Sequence, residues 1–424
     1  MRSIEFIPIL ATGLVFSRWA METALSALNR RHVQAHADEV PRAFRDTVDP
    51  TTYRRSVDYT LAKSRFGVLH DTWGTVVLLL VLLTPLVPAL FGAFRGRFGA
   101  AAWVDATWLF AVGTLLSFPD LPWEWWQQFR LEARFGFNQS TQKTWWMDRI
   151  KGLILGAVIG IPLLLVLLKL VTWLGDRWWI AGWAVLVAFQ LLMTVLAPLV
   201  ILPLFNKLTP LPDGSLRDRL LALGTRTGFS ARSILVMDGS KRSSHSNAFF
   251  TGFGSFRKIV LYDTLITQLS ESELEAVLAH EVGHYKRGHI PKMLIASSAM
   301  TLAGFAVVAW LARQLEFTAA FGFPAESGLA PALLCFGLLG GTVTFWTSPW
   351  MNQWSRRHEY EADRYAADAM GETRSLTGAL RKLSEKNLSN LTPHPLFSAW
   401  HYSHPTLVER EEALGTIQNE EMRK

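Results

Sequence analysis

The chain has 424 residues, of which 50% are hydrophobic and only 18% are charged, and its mean hydropathy is +0.19. A soluble protein of this length would carry about 25% charged residues, so the composition excludes an ordinary soluble enzyme. The net charge of +7 does not indicate nucleic-acid binding, because the basic residues are dispersed among the connections between apolar blocks and form no basic helix. The single cysteine, Cys335, excludes an internal disulfide and a multi-cysteine metal site.

Seven apolar blocks are long enough to cross a membrane as helices, for which about 17–25 residues are needed. They lie at about residues 4–20, 72–94, 102–120, 152–174, 180–204, 290–312 and 328–350. Tryptophans at block edges, such as Trp173 and Trp178, are typical of side chains at headgroup level. We interpret the first block as an anchor and not a signal peptide, because no small-x-small cleavage site follows it. The sequence predicts a mainly α, seven-span integral membrane protein.

Lysine and arginine are concentrated in alternate connections between the blocks. Segment 21–71 holds eight of them, segment 121–151 holds five and segment 205–289 holds eleven, whereas the intervening connections hold only Arg95, Arg97, Arg177 and Arg313. The positive-inside rule assigns the basic segments to the cytoplasm. An odd number of spans then predicts an external N-terminus and a cytoplasmic C-terminus.

Two polar stretches, 205–289 and 351–424, differ from the rest of the chain. The first has helical periodicity at 216–223 and strand-like runs at 233–237 and 259–262. Both follow apolar blocks that end on the cytoplasmic side, so we expect them to form one small α+β catalytic cap. The predicted division is a five-span bundle at 1–204, the first part of the cap at 205–289, spans six and seven at 290–350, and the second part of the cap at 351–424.

The residues that indicate chemistry are His280-Glu281-Val282-Gly283-His284, at the end of a helix that begins near Ser270 or Ser272. Histidines four apart project from one face of a helix, so both imidazoles can bind one Zn²⁺. Glu281 lies on a neighbouring face, where it can take a proton from a water that the metal activates. The alternative is a chance match on an ordinary helix. The motif favours a zinc peptidase.

A catalytic zinc needs a third protein ligand and one open position. Candidates lie in residues 355–363, where Glu359, Glu361 and Asp363 share a short stretch of predicted helix. Glu359 and Asp363 are four apart and share a face, so one can bind the metal while the other orients a ligating imidazole. Spacing alone does not choose the ligand among the three.

Several nearby polar residues are assigned no chemical role. We interpret Arg356, Arg357 and Glu361 as a solvated helix face, and we expect His289 to lie at the membrane interface where a span begins. The sequence pattern does not distinguish a surface role from a functional one for four further histidines, His245, His358, His394 and His401.

With these motifs the chain resembles the type-I CAAX prenyl proteases, seven-span zinc metalloproteases that process farnesylated proteins in eukaryotes. The resemblance covers nearly the whole chain and depends on the order and spacing of several short segments. These are residues 63–66, 135–138, 203–207, 238–243, 246–250, 280–284, 359–363 and 403–405, followed by Arg410. It implies seven helices around a large intramembrane chamber, with the zinc site on its cytoplasmic side.

The resemblance also implies roles for individual residues. It selects Glu359 as the third zinc ligand and Asp363 as the carboxylate that orients a ligand. His404 and Arg410 match residues that contact the substrate and support the transition state, where a donor to the oxyanion is needed. Residues Asn247, Ala248 and Phe249 match an edge strand along which the substrate backbone aligns, a mode that reads backbone more than sequence.

The sequence thus predicts a membrane endopeptidase with one Zn²⁺ per chain and Glu281 as its base, acting on membrane-associated or prenylated CAAX-type polypeptides. One alternative is a quality-control protease similar to the heat-shock membrane metalloproteases. Another is a transporter or receptor bundle with a vestigial metal site, against which the presence of Glu281 argues. The alanine-, arginine- and tryptophan-rich composition suggests a bacterial inner membrane.

Overall fold

The computed structural model describes residues 2–41, 44–45, 48–229, 233–251, 258–324 and 327–422. Helices make up most of these ranges. The helical stretches in them that are long and apolar enough to cross a membrane are Pro50–Leu83, Gln142–Phe205, His289–Arg313 and Leu329–Met370. The prediction of a mainly helical protein with membrane helices is confirmed.

The first half of the chain is a bundle of helices. Its α-helices are α1 (Arg2–Ala35), α2 (Pro50–Leu83), α3 (Leu86–Phe98), α4 (Ala102–Ser117), α5 (Leu121–Trp126), α6 (Ala133–Phe135), α7 (Gln142–Leu174), α8 (Trp178–Leu196) and α9 (Leu202–Phe205). The predicted span 72–94 is not one helix, since α2 ends before Thr84 and α3 begins after Pro85. Thr84 is extended, with φ −109° and ψ 155°, because a residue before proline avoids the helical region.

Close packing of small residues and aromatic rings holds the bundle together. A Cβ atom at Gly182 would lie 2.7 Å from Cε1 of Phe305, so this glycine lets α8 approach the later helix that carries Phe305. Elsewhere in the same core, the ring of Phe91 packs edge-on against Trp108 with centroids 4.7 Å apart, and against Phe323 at 5.7 Å. These contacts hold the apolar helices of the bundle against one another.

A four-stranded mixed sheet follows the bundle. Its strands are β1 (Leu208–Pro210), β2 (Ser233–Met237), β3 (Ala248–Thr251) and β4 (Lys258–Tyr262), in the spatial order β1-β2-β4-β3. β2 and β4 are parallel, and the two outer strands are antiparallel to their neighbours. The strands predicted at 233–237 and 259–262 are confirmed, and β3 is an end strand of the sheet.

The rest of the chain alternates polar helices with long apolar ones. The helices are α10 (Ser215–Thr227), α11 (Asp263–Gln268), α12 (Glu271–Lys286), α13 (His289–Arg313), α14 (Leu315–Ala319), α15 (Leu329–Thr344), α16 (Ser348–Met370), α17 (Arg374–Lys386), α18 (Pro395–His401) and α19 (Leu407–Met422). A helical stretch continues from α15 through one 3-10 turn into α16. The predicted boundary between 350 and 351 therefore falls inside α16, because a change from apolar to polar residues does not by itself end a helix.

One hydrophobic core joins the two polar stretches, which are distant in the sequence. Leu223 and Leu278 from the first stretch cluster with Ala366, Leu376 and Leu414 from the second, and all five are almost fully buried. We call the unit that shares this core the cap.

Arg242 fastens the cap to the base of the bundle. Its Nε and Nη2 atoms donate to both carboxylate oxygens of Asp148 on α7, at 2.8 and 3.0 Å. Its Nη1 donates to Oδ1 of Asn206 at 3.1 Å. A bidentate arginine–carboxylate pair is geometrically specific, so it sets the position of the sheet relative to α7.

Candidate metal centre

Helix α12 presents the two histidines of the zinc motif. Ser270 caps the helix, and its side chain and that of Glu273 exchange hydrogen bonds with each other's backbone N–H. This capping box satisfies donors that would otherwise be unpaired at the helix start. His280 and His284 then lie one turn apart with their Nε2 atoms 3.2 Å from each other. The predicted helix and its start are confirmed.

Gly283, in the middle of the motif, brings α12 against α16. A Cβ atom there would lie 3.0 Å from both Cα and the carbonyl oxygen of Ala362, and 3.1 Å from Cβ of Tyr365. Those neighbours are mainly backbone, which cannot easily move aside. A side chain at 283 would therefore separate the helices, and the glycine is what allows Glu359 on α16 to face the histidines on α12.

The ligand atoms of His280, His284 and Glu359 converge within 4.8 Å of one another. His284 Nε2 is 3.3 Å from Oε1 of Glu359, and His280 Nε2 is 3.5 Å from its Oε2. A tetrahedral ion about 2.0–2.1 Å from each ligand needs ligand atoms roughly 3.3 Å apart, so the spacing fits a metal ion. Oε2 of Glu359 is buried, and the imidazoles of His280 and His404 are the nitrogen-bearing rings that face it, at 3.5 and 2.9 Å.

Charge also fits a divalent cation. Three carboxylates, Glu281, Glu359 and Asp363, stand against one guanidinium, Arg410, which leaves two negative charges in excess. Burial of the His280 imidazole lowers its pKa, but the hydrogen bonds to Asp363 and Glu359 outweigh burial and raise the pKa to about 9. The surroundings of His280 thus favour a bound cation, whether proton or metal.

His280 is oriented by a buried carboxylate and an arginine. Its Nδ1 atom is 2.8 Å from Oδ1 of Asp363, which leaves Nε2 free to face the metal position. Arg410 donates from Nε to Oδ2 of Asp363 at 2.8 Å and from Nη2 to Oδ1. Asp363 and Arg410 therefore fix the orientation of the His280 imidazole. Arg410 also places Nη1 3.8 Å from Oε2 of Glu359.

His284 is oriented by a pair of residues for which the sequence predicted no such role. Its Nδ1 is 3.0 Å from Nδ1 of His289, whose Nε2 is 3.0 Å from Oε2 of Glu361. His289 is 1% exposed and stacks on His358, with ring centroids 4.0 Å apart. His289 begins α13 where a span was predicted, but the chain turns at Gly288, where φ is +68°, and buries the imidazole beside His284. Glu361 is 48% exposed, as predicted for a solvated residue, but its contact with His289 was not predicted.

Two features of the sequence could have pointed to His289. It follows His284 by five residues, and a glycine stands between them. A glycine at that distance from a helix end allows a left-handed turn, after which a third histidine can fold back on the first two.

Glu281 lies among the charged groups of the centre. Burial raises the pKa of its carboxyl, and the neighbouring His280 and His284 oppose that rise. A base whose pKa is raised accepts a proton more readily at neutral pH. The position suits the role predicted for it.

His404 lies on the loop between α18 and α19 and faces Glu359. Its Nδ1 is 2.9 Å from Oε2 of Glu359, while 66% of its side chain is exposed. Thr406, two residues on, opens α19 by exchanging hydrogen bonds with Glu409. The loop therefore serves both as the start of the last helix and as the support of an imidazole beside the metal position.

Arg356 holds this loop from the neighbouring helix. It donates from Nε to the carbonyl oxygen of Tyr402 and from Nη2 to that of Ser398, both at 3.1 Å. Asn352, one turn earlier on α16, donates to the carbonyl oxygens of Ala399 and Trp400. The prediction that Arg356 lies on a solvated face was wrong, since its side chain is only 14% exposed.

The candidate substrate strand lies next to the zinc-motif helix. Ala248 and Phe249 begin β3, which packs against α12, and Asn247 precedes it. The carbonyl oxygen of Asn247 accepts a hydrogen bond from the backbone N–H of Tyr262 at 3.1 Å. Within the described part of the sheet, β3 pairs on one side only, so its other edge can receive an extended chain.

A cavity of about 950 Å³ opens beside the centre, and we call it the central cavity. It is bounded by one face each of α1 and α2, by α17, by residues 402–407, and by His245 and Arg410. His404 projects into it as well. The cavity thus adjoins the metal centre through His404 and Arg410.

Comparison with known proteins agrees with this geometry. A family model described as "CAAX prenyl protease N-terminal, five membrane helices" matches residues 29–207, and one described as "Peptidase family M48" matches residues 210–418. CAAX prenyl protease 1 of Saccharomyces cerevisiae is 34% identical, over 96% of this chain and 95% of the relative. The human CAAX prenyl protease 1 homolog is 32% identical, over 96% of each. The crystal structure of S. mikatae Ste24p superposes with a TM-score of 0.89 at 33% identity, over 96% of this chain and 98% of that one.

Proposed function

The chain belongs to peptidase family M48 and to its CAAX prenyl protease branch, and we propose that it cleaves prenylated CAAX-type polypeptides with one Zn²⁺ held by His280, His284 and Glu359. The chain is an integral membrane metalloprotease. The observation that carries the assignment of the site is the convergence of these three ligand atoms at tetrahedral spacing, beside a half-buried Glu281.

Each residue of the centre has a distinct part in hydrolysis. Zinc bound at this site would act as a Lewis acid that polarises the scissile carbonyl and lowers the pKa of a water molecule. Glu281 takes the proton of that water and passes it to the leaving amine. His404 donates a hydrogen bond to the oxyanion that develops on the substrate. Asp363 and Arg410 hold His280 in position, and Arg410 also offsets part of the negative charge.

The substrate backbone is proposed to add to β3 as a further strand. Ala248 and Phe249 lie on the end strand that packs against α12, and Asn247 directly precedes it, so an added strand would run past the metal centre. Recognition through backbone hydrogen bonds is common for peptidases that bind an extended chain.

A second cavity supports a substrate that carries an apolar group. It has a volume of about 570 Å³ and is lined by residues of α8, α13, α15 and α16, most of them apolar. Trp354, Ser355 and His358 border it, and they lie on the helix turn that precedes Glu359. A prenyl chain is a branched hydrocarbon, and burial of each CH₂ group contributes about 0.8 kcal/mol.

The membrane arrangement that we propose has seven spans, an external N-terminus and a cytoplasmic cap. The bundle comprises residues 1–204 and 290–350, and the cap comprises 205–289 and 351–424. The excess of lysine and arginine in segments 21–71 and 121–151 supports this orientation. The composition favours a bacterial inner membrane as its location.

The function is tested with purified protein and two peptides of one sequence, farnesylated or not at the CAAX cysteine. We expect mass spectrometry to show cleavage within the CAAX motif of the farnesylated peptide, loss of cleavage with a zinc chelator and recovery on adding zinc. Cleavage of a misfolded membrane protein, together with no cleavage of either peptide, would favour a quality-control protease instead.

A further inference from the structure

One face of α2 forms a wall of the central cavity. Tyr59, Lys63, Gly67 and Asp71 follow one another at intervals of four residues and all line it. Residues four apart in an α-helix are stacked about 6 Å apart along the axis. The wall therefore carries a cation near one end and, about 12 Å away, an anion.

The two permanently cationic side chains that line the cavity have different partners. Arg410 is bound through two hydrogen bonds to Asp363. Lys63 lines the cavity and is exposed, and among the described residues no carboxylate oxygen lies within 4 Å of its Nζ. Its Nζ lies over the ring of Tyr59, 5.0 Å from the ring centroid.

Glu132, the carboxylate whose pKa Lys63 affects, already has hydrogen-bond partners. Both oxygens of Glu132 accept hydrogen bonds from the hydroxyl of Tyr59, at 2.9 and 3.0 Å, and Oε2 is 3.7 Å from Nε2 of His245. Burial raises the pKa of Glu132, but the hydrogen bonds from His245 and Tyr59 and the nearby charge of Lys63 outweigh burial and lower it. Because Lys63 acts on Glu132 only from beyond ion-pair distance among the described residues, its ammonium can still bind an anion that enters the cavity.

The opposite end of the cavity would repel an anion. Asp71 and Glu22 both line it, and Arg18 offsets one of the two charges by donating to Oδ1 of Asp71 at 2.7 Å. An anionic group that enters the cavity is thus directed toward Lys63. Gly67 lies between the two ends, and a Cβ there would meet nothing within 4 Å, so the space along the wall is open.

The substrate supplies such an anion. This step rests on the proposed function, in which the substrate ends in a CAAX motif, so its last residue carries the free α-carboxylate. That carboxylate lies at most three residues, about 10 Å of extended chain, from the prenylated cysteine. We propose that the ammonium of Lys63 binds the C-terminal carboxylate of the substrate and so makes the enzyme select chain ends.

A purely structural role for Lys63 predicts a different result. Its contact with Tyr59 is a cation–π interaction, which contributes about 0.5–1 kcal/mol at a partly exposed site. Under that role Lys63→Met would lower stability slightly and would change kcat/KM for the acid and the amide peptide by the same factor. Discrimination between a charged and a neutral chain end separates the two roles.

The experiment uses two farnesylated CAAX peptides of one sequence, one ending in a free acid and one in an amide, with full-length protein in phosphatidylcholine vesicles. We expect the native protein to prefer the acid about 10- to 100-fold in kcat/KM, as for a charge-assisted hydrogen bond. Lys63→Met should lose this preference through a higher KM for the acid alone. Lys63→Arg should keep most of it. Lys143→Met, an exposed lysine outside the cavity, is the matched control and should behave as native.

Binding to the Glu281→Gln protein separates this inference from the proposed function. Tighter binding of the acid than of the amide, lost on adding Lys63→Met, would support the carboxylate site even if no peptide were cleaved. Cleavage of both peptides at equal rates by the native protein would overturn the inference and leave the proposed protease intact. An acid preference that persists in Lys63→Met would overturn it too.

Discussion

Gly283 and Ala362 touch so closely that a Cβ atom on Gly283 would lie 3.0 Å from both Cα and the carbonyl oxygen of Ala362. This contact sets the distance between α12, which carries His280 and His284, and α16, which carries Glu359. The metal centre thus depends on a residue that binds nothing itself.

We expect Gly283→Ala to weaken both the fold and the metal site. Overpacking against backbone typically costs about 1–3 kcal/mol, and the separation of the helices would move Glu359 away from the histidines. Zinc affinity by competition with a chelator and the thermal unfolding temperature should both fall. Gly415→Ala is the matched control, because a Cβ on that helical glycine would meet nothing within 4 Å. Native zinc affinity in Gly283→Ala would refute the argument.

Zinc binding should fall more when a metal ligand is removed than when the residue that orients this ligand is removed. His284→Ala should abolish near-stoichiometric zinc binding, because two protein ligands remain. His289→Ala keeps all three ligands but frees the ring of His284, and loss of such a partner typically lowers metal affinity about 10–100-fold. Metal analysis and chelator competition measure both, with His32→Ala as a control outside the centre. Undiminished zinc in His284→Ala would contradict the ligand assignment.

Glu281→Gln should retain zinc and lose peptidase activity. An amide cannot take the proton of the attacking water, and loss of a general base typically costs about 10²–10⁴-fold in rate. Cleavage of a farnesylated CAAX peptide by native and variant protein, at equal zinc content, provides the measurement. More than about a tenth of native activity in the variant would mean that another group is the principal base.

His404→Ala should lower kcat about 10²–10³-fold, the usual effect of losing one donor to an oxyanion. Zinc content and thermal stability should stay near native, because the imidazole is largely exposed and the helix start is secured by Thr406 and Glu409. All three quantities are measured on one preparation. Loss of zinc would make His404 a ligand, and native activity would reduce it to a residue of the turn.

Reporter fusions should place both the segment after residue 50 and the C-terminus in the cytoplasm, and the segment near residue 97 outside. The expectation follows from the distribution of lysine and arginine between alternate connections. A C-terminal fusion that is active only on the outer side would overturn both the orientation and the odd number of spans.

The sequence by itself determined the features that depend on local pattern. Apolar blocks predicted membrane helices, because a segment that crosses the hydrocarbon core must be apolar along its length and must pair its backbone groups internally. The spacing of Ser270 and Glu273 predicted the start of α12, and the four-residue spacing of His280 and His284 predicted one shared face. Each of these properties is set by neighbours within a few residues.

Only the tertiary structure decided which distant groups meet. Spacing left Glu359, Glu361 and Asp363 equivalent, and the packing of α16 on α12 turns the first to the histidines and the third to Nδ1 of His280. The turn at Gly288 instead brings His289 within hydrogen-bond distance of Glu361. Such assignments follow from how two helices cross and how one chain reverses. They depend on contacts between residues about 70 to 130 positions apart, which a local pattern does not contain.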